Sequence, residues 1–230
     1  MLLNKLKGIV AVFSICLVFT AVASKLPYFS MIQNTANKQI QYIIDAGHGI
    51  PDGGAVGVDG TTEQELNLAI SLEVAKLLKK NKISFEQTRL DENSIYTEGE
   101  TIHAKKVSDV RRRIAIAQET PGVPFVSIHM NTYPNSSVHG IQVFYGDGNE
   151  KARTIAQSLQ QAFNQQIQPE NAKVIKPISK NIYLFSHIQN PSILIECGFI
   201  SNNEELNKLK SEEYQEDLAK IIASVLMSQG

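Results

Sequence analysis

The chain has 230 residues, of which 43% are hydrophobic and 20% are charged, and its formal net charge at pH 7 is −1. That length suits one α/β domain, and the composition is that of a globular protein rather than a disordered or fibrous one. No part of the sequence is strongly basic, which excludes nucleic acid as an expected partner.

The first 23 residues have the layout of a secretory signal. Lys5 and Lys7 precede an apolar run over residues 8–23, which ends in the small residues Ala21-Val22-Ala23. The run is short for a membrane span, which needs ~20 apolar residues, although an uncleaved membrane tether through residues 8–23 is the alternative. In either case the sequence predicts a protein that is exported across the cytoplasmic membrane.

An exported domain without an internal disulfide is expected to follow the signal. Removal of residues 1–23 changes the net charge to −3 and leaves Cys197 as the only cysteine. One cysteine cannot form an internal disulfide, so the domain must be stabilised by its core alone. Residues 24–40 are polar and patternless and are predicted to form a linker, and residues 41–230 are predicted to form the catalytic domain.

The first predicted strand and helix enclose a glycine-rich loop. Tyr42-Ile43-Ile44 is a short apolar strand that leads into Asp45-Ala46-Gly47-His48-Gly49. The loop from Gly49 to Gly60 contains five glycines. A helix is expected to begin near Thr62, where Thr62 and Glu65 have the spacing of a capping box.

The remaining elements continue the alternation of strands and helices. They are, in chain order, an edge strand over 83–88, a helix from Ser108, strands over 124–128 and 141–145, a helix with Ile155, Leu159 and Phe163 on one face, strands over 182–185 and 192–195, and two C-terminal helices. This alternation predicts a single α/β domain, with a mostly parallel sheet covered by helices on both faces.

Three candidate metal ligands or catalytic groups follow three separate apolar strands. His48 follows the strand over 42–44, His129 follows Phe125–Ile128, and Glu196 follows Ser192–Ile195. The carboxyl ends of parallel strands meet at one edge of a sheet, so these side chains are expected to converge. Two histidines and a carboxylate are the ligand chemistry of an open catalytic zinc site, although such a set can also hold Fe(II).

A second acid lies next to the glycine-rich loop. Glu63 and Glu65 are the two candidates for this acid. The capping box engages the carboxylate of Glu65 at the start of the helix, which leaves Glu63 the freer carboxylate. We therefore assign His48, Glu63 and His129 to one Zn²⁺ ion and Glu196 to the general base. Glu196 interrupts two apolar runs, where a buried acid has no structural reason to be.

Two further residues are weaker candidates for substrate binding or for support of the ligands. Asn131 either orients a ligand or caps a turn, and Arg113 either serves the site or forms a buried ion pair. The other histidines, His103, His139 and His187, lie in polar segments and are expected to face solvent.

Four motifs occur in the order that is typical of one enzyme family. They are Asp45-Ala46-Gly47-His48-Gly49, Glu63-x-x-x-Asn67-Leu68, Ser127-Ile128-His129-x-Asn131 and Ile195-Glu196-x-Gly198-Phe199-Ile200-Ser201-Asn202. They resemble the zinc-dependent N-acetylmuramoyl-L-alanine amidases of type 3, over about residues 41–228. The resemblance implies a six-stranded, mostly parallel sheet between helices and peptidoglycan as substrate. It also implies metal ligands at His48, Glu63 and His129, with a catalytic glutamate at Glu196.

Within this family the layout most resembles the sporulation amidases, because a signal segment leads almost directly into a lone catalytic domain. That resemblance implies removal of stem peptides so that muramic-δ-lactam can form in the spore cortex, and a location in the cell wall or the forespore intermembrane space. Residues 132–140 are too few to form an inhibitory helix. Restraint of the enzyme is therefore expected from limited metal occupancy, timing of synthesis or a regulatory protein partner.

Two alternative functions predict other reaction products, or no product at all. Another zinc hydrolase of peptidoglycan, a carboxypeptidase or a deacetylase, would release an amino acid or acetate, but no motif suggests a pocket for a terminal carboxylate or an acetyl group. A wall-binding protein that has lost catalysis would be insensitive to Glu196→Gln, whereas an amidase would lose nearly all activity.

Overall fold

The computed structural model describes residues 39–229. The signal or anchor predicted over 1–23 and nearly all of the linker predicted over 24–40 lie outside the described residues. Among the helices of residues 39–229, none has both the length and the apolar character that crossing a membrane requires.

Six strands form one mixed sheet. Their bounds are β1 (Tyr42–Ala46), β2 (Phe85–Gln87), β3 (Phe125–Asn131), β4 (Gln142–Tyr145), β5 (Lys176–Pro177) and β6 (Ser192–Phe199). Their order across the sheet is β2-β1-β3-β6-β4-β5. Strands β1, β2, β3 and β6 run parallel, whereas β4 is antiparallel to β6 and carries β5 parallel to itself at the edge. This arrangement confirms the predicted six-stranded, mostly parallel α/β sheet.

The helices cover both faces of this sheet. Their bounds are α1 (Glu63–Lys80), α2 (Ile102–Glu119), α3 (Glu150–Gln166), α4 (Tyr183–Ser186), α5 (Asn203–Leu209) and α6 (Glu212–Ser228), with a 3₁₀ turn at Pro169–Asn171. Helices α1, α3 and α6 pack in the larger apolar cluster, with Ile44 and Val126. Helices α2 and α4 pack in a smaller cluster with Ile43 and Phe125. Successive strand side chains point to opposite faces, so both faces of the sheet are buried.

Two predicted elements differ from the structure. Helix α2 begins at Ile102 rather than at Ser108, and the hydroxyl of Thr101 caps it by accepting the Ala104 N–H at 3.1 Å. Its first turn is exposed, with Ile102 62% accessible, so no apolar periodicity marks it in the sequence. Residues 182–185, predicted as a strand, contribute instead to the short helix α4, which packs against α2. A short apolar run does not by itself distinguish a strand from a buried helical turn.

Candidate metal centre

Two of the candidate residues are neighbours across the sheet. His129 on β3 and Glu196 on β6 occupy paired positions in adjacent parallel strands. Paired residues project from the same face of a sheet, so the two side chains point to the same side. Both lie inside their strands near the carboxyl ends, because β3 and β6 continue beyond the ends predicted from the sequence.

His48 reaches the same region from the turn after β1. Its backbone has a φ of 62°, in the left-handed region that residues other than glycine rarely adopt. Side chains from two other segments hold the carbonyls around it. Arg113 donates to the carbonyls of Ala46 and His48 at 2.8 and 2.6 Å, and Arg89 donates to those of Ala46 and Gly47 at 3.0 and 3.1 Å. These contacts stabilise a strained backbone of the kind that is concentrated at functional sites.

Glu63 lies between the two histidines at the first residue of α1. Its Oε1 is 2.9 Å from Nδ1 of His129, and its Oε2 is 3.3 Å from Nε2 of His48. Backbone N–H groups of Met130 and Ala55 donate to the two oxygens at 3.1 and 2.9 Å. Each of the three side chains offers one ligand atom, and these atoms lie within 4.8 Å of one another. The structure therefore brings His48, Glu63 and His129 together.

The capping box explains why Glu63 rather than Glu65 reaches the histidines. Oε2 of Glu65 accepts the Thr62 N–H at 2.9 Å, as predicted. Glu65 is thereby engaged at the start of α1, while Glu63 points into the glycine-rich loop and is only 4% exposed.

The charges in this cluster depend strongly on one another. Burial favours the neutral form of His48, but the carboxylates of Asp52 and Glu63 outweigh it and raise the pKa of His48 to about 9. Burial likewise opposes the charge on Glu63, but the two histidines hold the pKa of this carboxyl well below its usual range. The site therefore keeps a carboxylate anion in position to balance a positive charge.

Two glycines leave the space that the cluster occupies. A Cβ atom at Gly47 would lie 2.2 Å from Nε2 of His129. A Cβ at Gly54 would lie 2.5 Å from Oε2 of Glu63 and 2.8 Å from Cδ2 of His48. Two imidazole nitrogens and one carboxylate oxygen are the donor set of catalytic zinc sites with an open position. The residues present thus fit a zinc ion.

Glu196 stands beside the three clustered side chains rather than among them. Its Oε2 is buried and has no hydrogen-bond partner among residues 39–229. Burial raises the pKa of Glu196 to about 7, while the nearby histidines oppose that rise. A buried polar atom without a partner costs about 1–3 kcal/mol, and this one belongs to a carboxyl group with a raised pKa that lines a cleft, which makes Glu196 a candidate for a role in the chemistry there.

The two weaker candidates have structural contacts. Arg113 is 3% exposed and forms ion pairs with Asp45 and Asp109. Its Nε is 2.7 Å from Oδ2 of Asp109. This agrees with the second of the two alternatives for Arg113, a buried ion pair. Oδ1 of Asn131 accepts a hydrogen bond from the Thr132 N–H at 2.8 Å, which agrees with the alternative that Asn131 caps a turn. The histidines expected to face solvent, at positions 103, 139 and 187, are all exposed.

Sequence reasoning missed three residues at this site. Asp52 contacts His48, Lys106 contacts Asp52, and Arg89 supports the turn after β1. Lys106 had no usable signal, because it lies before the predicted start of α2 and its partner Asp52 belongs to a distant segment. Arg89 had no usable signal either, because its partners are backbone carbonyls from distant segments.

Comparisons with known proteins agree on one family. The family model described as N-acetylmuramoyl-L-alanine amidase matches residues 43–228. The germination-specific N-acetylmuramoyl-L-alanine amidase of Bacillus subtilis (strain 168) is 29% identical over 180 residues, which cover 78% of this chain and 75% of the relative.

Solved structures show the same relationship. The CwlD amidase from Clostridioides difficile, solved in complex with the GerS lipoprotein, is 34% identical with a TM-score of 0.77 and covers 82% of this chain and 96% of its own. An N-acetylmuramoyl-L-alanine amidase from Clostridium difficile 630 is 27% identical with a TM-score of 0.70 and covers 83% of this chain and 96% of its own.

Proposed function

The chain belongs to the N-acetylmuramoyl-L-alanine amidase family, and we propose that it cleaves peptidoglycan with one zinc ion held by His48, Glu63 and His129. The bond broken is the amide between the lactyl group of N-acetylmuramic acid and the L-alanine of the stem peptide. The observation that carries this proposal is the convergence of the three ligand atoms within 4.8 Å. A carboxypeptidase or deacetylase function has no comparable support.

The donor set defines what each ligand contributes. Nε2 of His48 and Nδ1 of His129 face Glu63, and its carboxylate supplies an oxygen ligand and negative charge. Zinc at such a site supplies Lewis-acid chemistry, because it polarises a carbonyl and lowers the pKa of a water molecule to about 7. Asp52, bonded to Nδ1 of His48 at 2.9 Å, orients that ring.

Glu196 is proposed as the general base. Its unpartnered Oε2 and its pKa of about 7 suit a group that takes a proton near neutral pH. It takes a proton from the attacking water and delivers it to the nitrogen of L-alanine, which leaves as an amine. Its position beside His129 across the β3–β6 pair supports this role.

We further propose that the enzyme is exported and acts in formation of the spore cortex. Its similarity to a germination-specific amidase and to the CwlD amidase supports this role. The complex of CwlD with a lipoprotein supports a regulatory protein partner for this chain as well. Residues 1–23 are proposed to direct export or to tether the protein through residues 8–23, with residues 24–40 as a linker.

Mass spectrometry of muropeptides tests the reaction. Digestion by residues 24–230 with zinc is expected to release peptides that begin with L-alanine, and a chelated sample is expected to release none. Release without metal would contradict zinc dependence, and release of acetate or of a terminal amino acid would contradict the amidase reaction.

Complementation tests the cortex role. A Bacillus subtilis strain that lacks its germination-specific amidase would receive the full chain or its Glu196→Gln variant. Muramic-δ-lactam is expected in spores that express the full chain and not in those that express the variant. Its absence in both, with equal amounts of protein, would contradict the role in the cortex.

A further inference from the structure

A cleft beside the proposed metal ligands has two walls of different chemistry. The cleft has a volume of about 320 Å³ and includes His48, His129 and Glu196 among its lining residues. Helix α2 contributes Lys106 to the lining, and the short helix α4 contributes Tyr183. A substrate that enters this cleft therefore meets both a charged side chain and an aromatic one.

We propose that Lys106 is a specificity residue that binds a carboxylate of the stem peptide, one residue beyond the L-alanine whose amide is cut. This inference rests on the amidase function proposed above. In stem peptides the residue after L-alanine is D-glutamate linked through its side-chain carboxyl group, so its α-carboxyl group is free unless it is amidated. The ligand class is thus an acyl-L-alanyl-γ-D-glutamyl peptide with a free carboxylate.

Among the lining residues with a fixed positive charge, Lys106 is the one whose side chain is exposed. The side chain of Arg113, the other lining residue with a fixed positive charge, is 4% exposed and forms ion pairs with Asp45 and Asp109. The side chain of Lys106 is 48% exposed, and its ammonium contacts Asp52 at 2.9 Å. An ammonium has three donors, so Lys106 can keep this contact and still donate to a substrate carboxylate.

Lys106 lies close enough to the proposed metal ligands to contact a substrate carboxylate one residue beyond the amide bond that is cut. Oδ2 of Asp52 is 2.9 Å from Nζ of Lys106 and 2.9 Å from Nδ1 of His48. Nζ of Lys106 is therefore at most two hydrogen-bond lengths from Nδ1 of His48, the ring nitrogen on the side away from Glu63. One extended residue spans about 3.5 Å, and lysine has a flexible four-carbon side chain, so Nζ can reach a carboxylate one residue beyond the cut.

The part of the cleft lining at α4 suits the apolar part of the same substrate. Ile182, Tyr183 and Leu184 face this cleft, and Tyr183 is 52% exposed while it stacks on His187 at a centroid distance of 3.9 Å. An apolar surface here can contact the methyl group of L-alanine, while the carboxylate of the next residue lies toward α2. The contact with Lys106 is then what distinguishes a carboxylate-bearing stem from its amide.

A matched pair of substrates tests the proposal. Zinc-loaded protein is assayed on N-acetylmuramoyl-L-alanyl-D-glutamate and on the corresponding D-isoglutamine compound. The γ-carboxyl group of each is blocked as its methylamide, so that the two differ only in an α-carboxylate against an α-carboxamide. Wild type is expected to prefer the carboxylate by about tenfold in kcat/KM, chiefly through KM, because a charge-assisted hydrogen bond is lost with the amide. Lys106→Met is expected to bring the ratio between the two substrates close to one, and Lys106→Arg is expected to retain part of it.

Lys105→Met is the matched control. Lys105 is the adjacent lysine, and its ammonium lies over the ring of Tyr96 at 4.9 Å. Its removal is expected to preserve the substrate ratio, and the zinc content of every variant is measured in parallel.

Two results would overturn the assignment of Lys106. One is absence of a substrate preference in wild type. The other is an equal loss on both substrates in Lys106→Met, which would show that Lys106 acts through Asp52 and His48. If wild type with bound zinc cleaves neither compound nor intact muropeptides, the proposed amidase function itself fails, and the inference fails with it.

Discussion

Asp52 accepts a hydrogen bond from Nδ1 of His48 at 2.9 Å, and this contact determines which imidazole nitrogen faces Glu63. With its proton at Nδ1, His48 presents Nε2, which is 3.3 Å from Oε2 of Glu63. Metal-bound histidines commonly have such a carboxylate on the other nitrogen, which fixes the ring and raises its basicity. Asp52 is in turn held by Lys106 at 2.9 Å.

Replacement of Asp52 by asparagine is expected to weaken zinc binding. The neutral amide holds the His48 ring less firmly and adds no negative charge, and loss of such a partner lowers metal affinity by about 10–100-fold. Competition with a chromophoric zinc chelator measures the change. The control is Asp59→Asn, because Asp59 lies in the same loop but pairs with Lys210. Equal zinc affinity in Asp52→Asn and wild type would contradict the role of Asp52.

Zinc affinity is expected to rise with pH. Asp52 and Glu63 outweigh burial and raise the pKa of His48 to about 9, so His48 carries an extra proton at pH 7. Zinc must displace this proton, and the apparent affinity should therefore increase about tenfold per pH unit between pH 6 and pH 8 and level off above pH 9. Chelator competition at four pH values gives the slope. An affinity independent of pH over this range would show that His48 does not exchange a proton for the metal.

Glu196→Gln is expected to remove activity without removal of the metal. Glutamine has nearly the same shape but accepts no proton from water, and loss of a general base costs about 10²–10⁴-fold in rate. Muropeptide cleavage measures the rate, and zinc content with thermal unfolding provides the control for the site and the fold. A variant that binds zinc and retains more than about a tenth of the activity would exclude Glu196 as the base.

Gly47→Ala is expected to disrupt zinc binding by a purely steric effect. A Cβ at Gly47 would lie 2.2 Å from Nε2 of His129, so the imidazole must leave its position. The matched control is Gly53→Ala, whose Cβ would meet its nearest neighbour, Cγ2 of Thr62, at an ordinary 3.4 Å. We expect at least about a tenfold loss of zinc affinity in Gly47→Ala alone. Equal affinities would show that His129 is not a ligand.

The sequence could predict the part of the site that depends on local motifs. His48, His129 and Glu196 lie at or near the carboxyl ends of strands that pair in parallel, so their convergence follows from strand pattern alone. Glu63 could be separated from Glu65 because a capping box is itself a local motif. These predictions required no knowledge of how helices pack on the sheet.

The walls of the cleft depend on tertiary packing and could not be predicted in the same way. Residues 182–185 are apolar in a run too short to indicate its period, and packing against α2 makes most of them helical. Lys106 lies before the predicted start of α2, because the first turn of that helix is exposed. Its relation to Asp52 joins two segments that the sequence pattern does not connect.

Asp45 is expected to make the fold sensitive to acid. This carboxylate is 1% exposed and accepts hydrogen bonds from Arg113, Ser127 and Thr88. Burial alone would raise the pKa of Asp45, but the Arg113 charge and the two hydroxyl groups hold it below its ordinary value. A carboxyl group with a lowered pKa stabilises the fold above its unfolded pKa of about 3.9, and that stabilisation is lost as the pH falls through the folded value.

Asp45→Asn tests this contribution through the pH dependence of the free energy of unfolding. At pH 7 the variant should be less stable by about 3 kcal/mol, because Arg113 keeps Asp109 but loses one partner of a buried ion pair. Between pH 5 and pH 3 its stability should fall less steeply than that of wild type, since one fewer carboxyl group gains a proton on unfolding. Urea unfolding at several pH values measures both effects, with Asp147→Asn, at an exposed aspartate, as the control. Parallel pH profiles for Asp45→Asn and wild type would show that Asp45 has the same pKa in both states, which its burial beside Arg113 argues against.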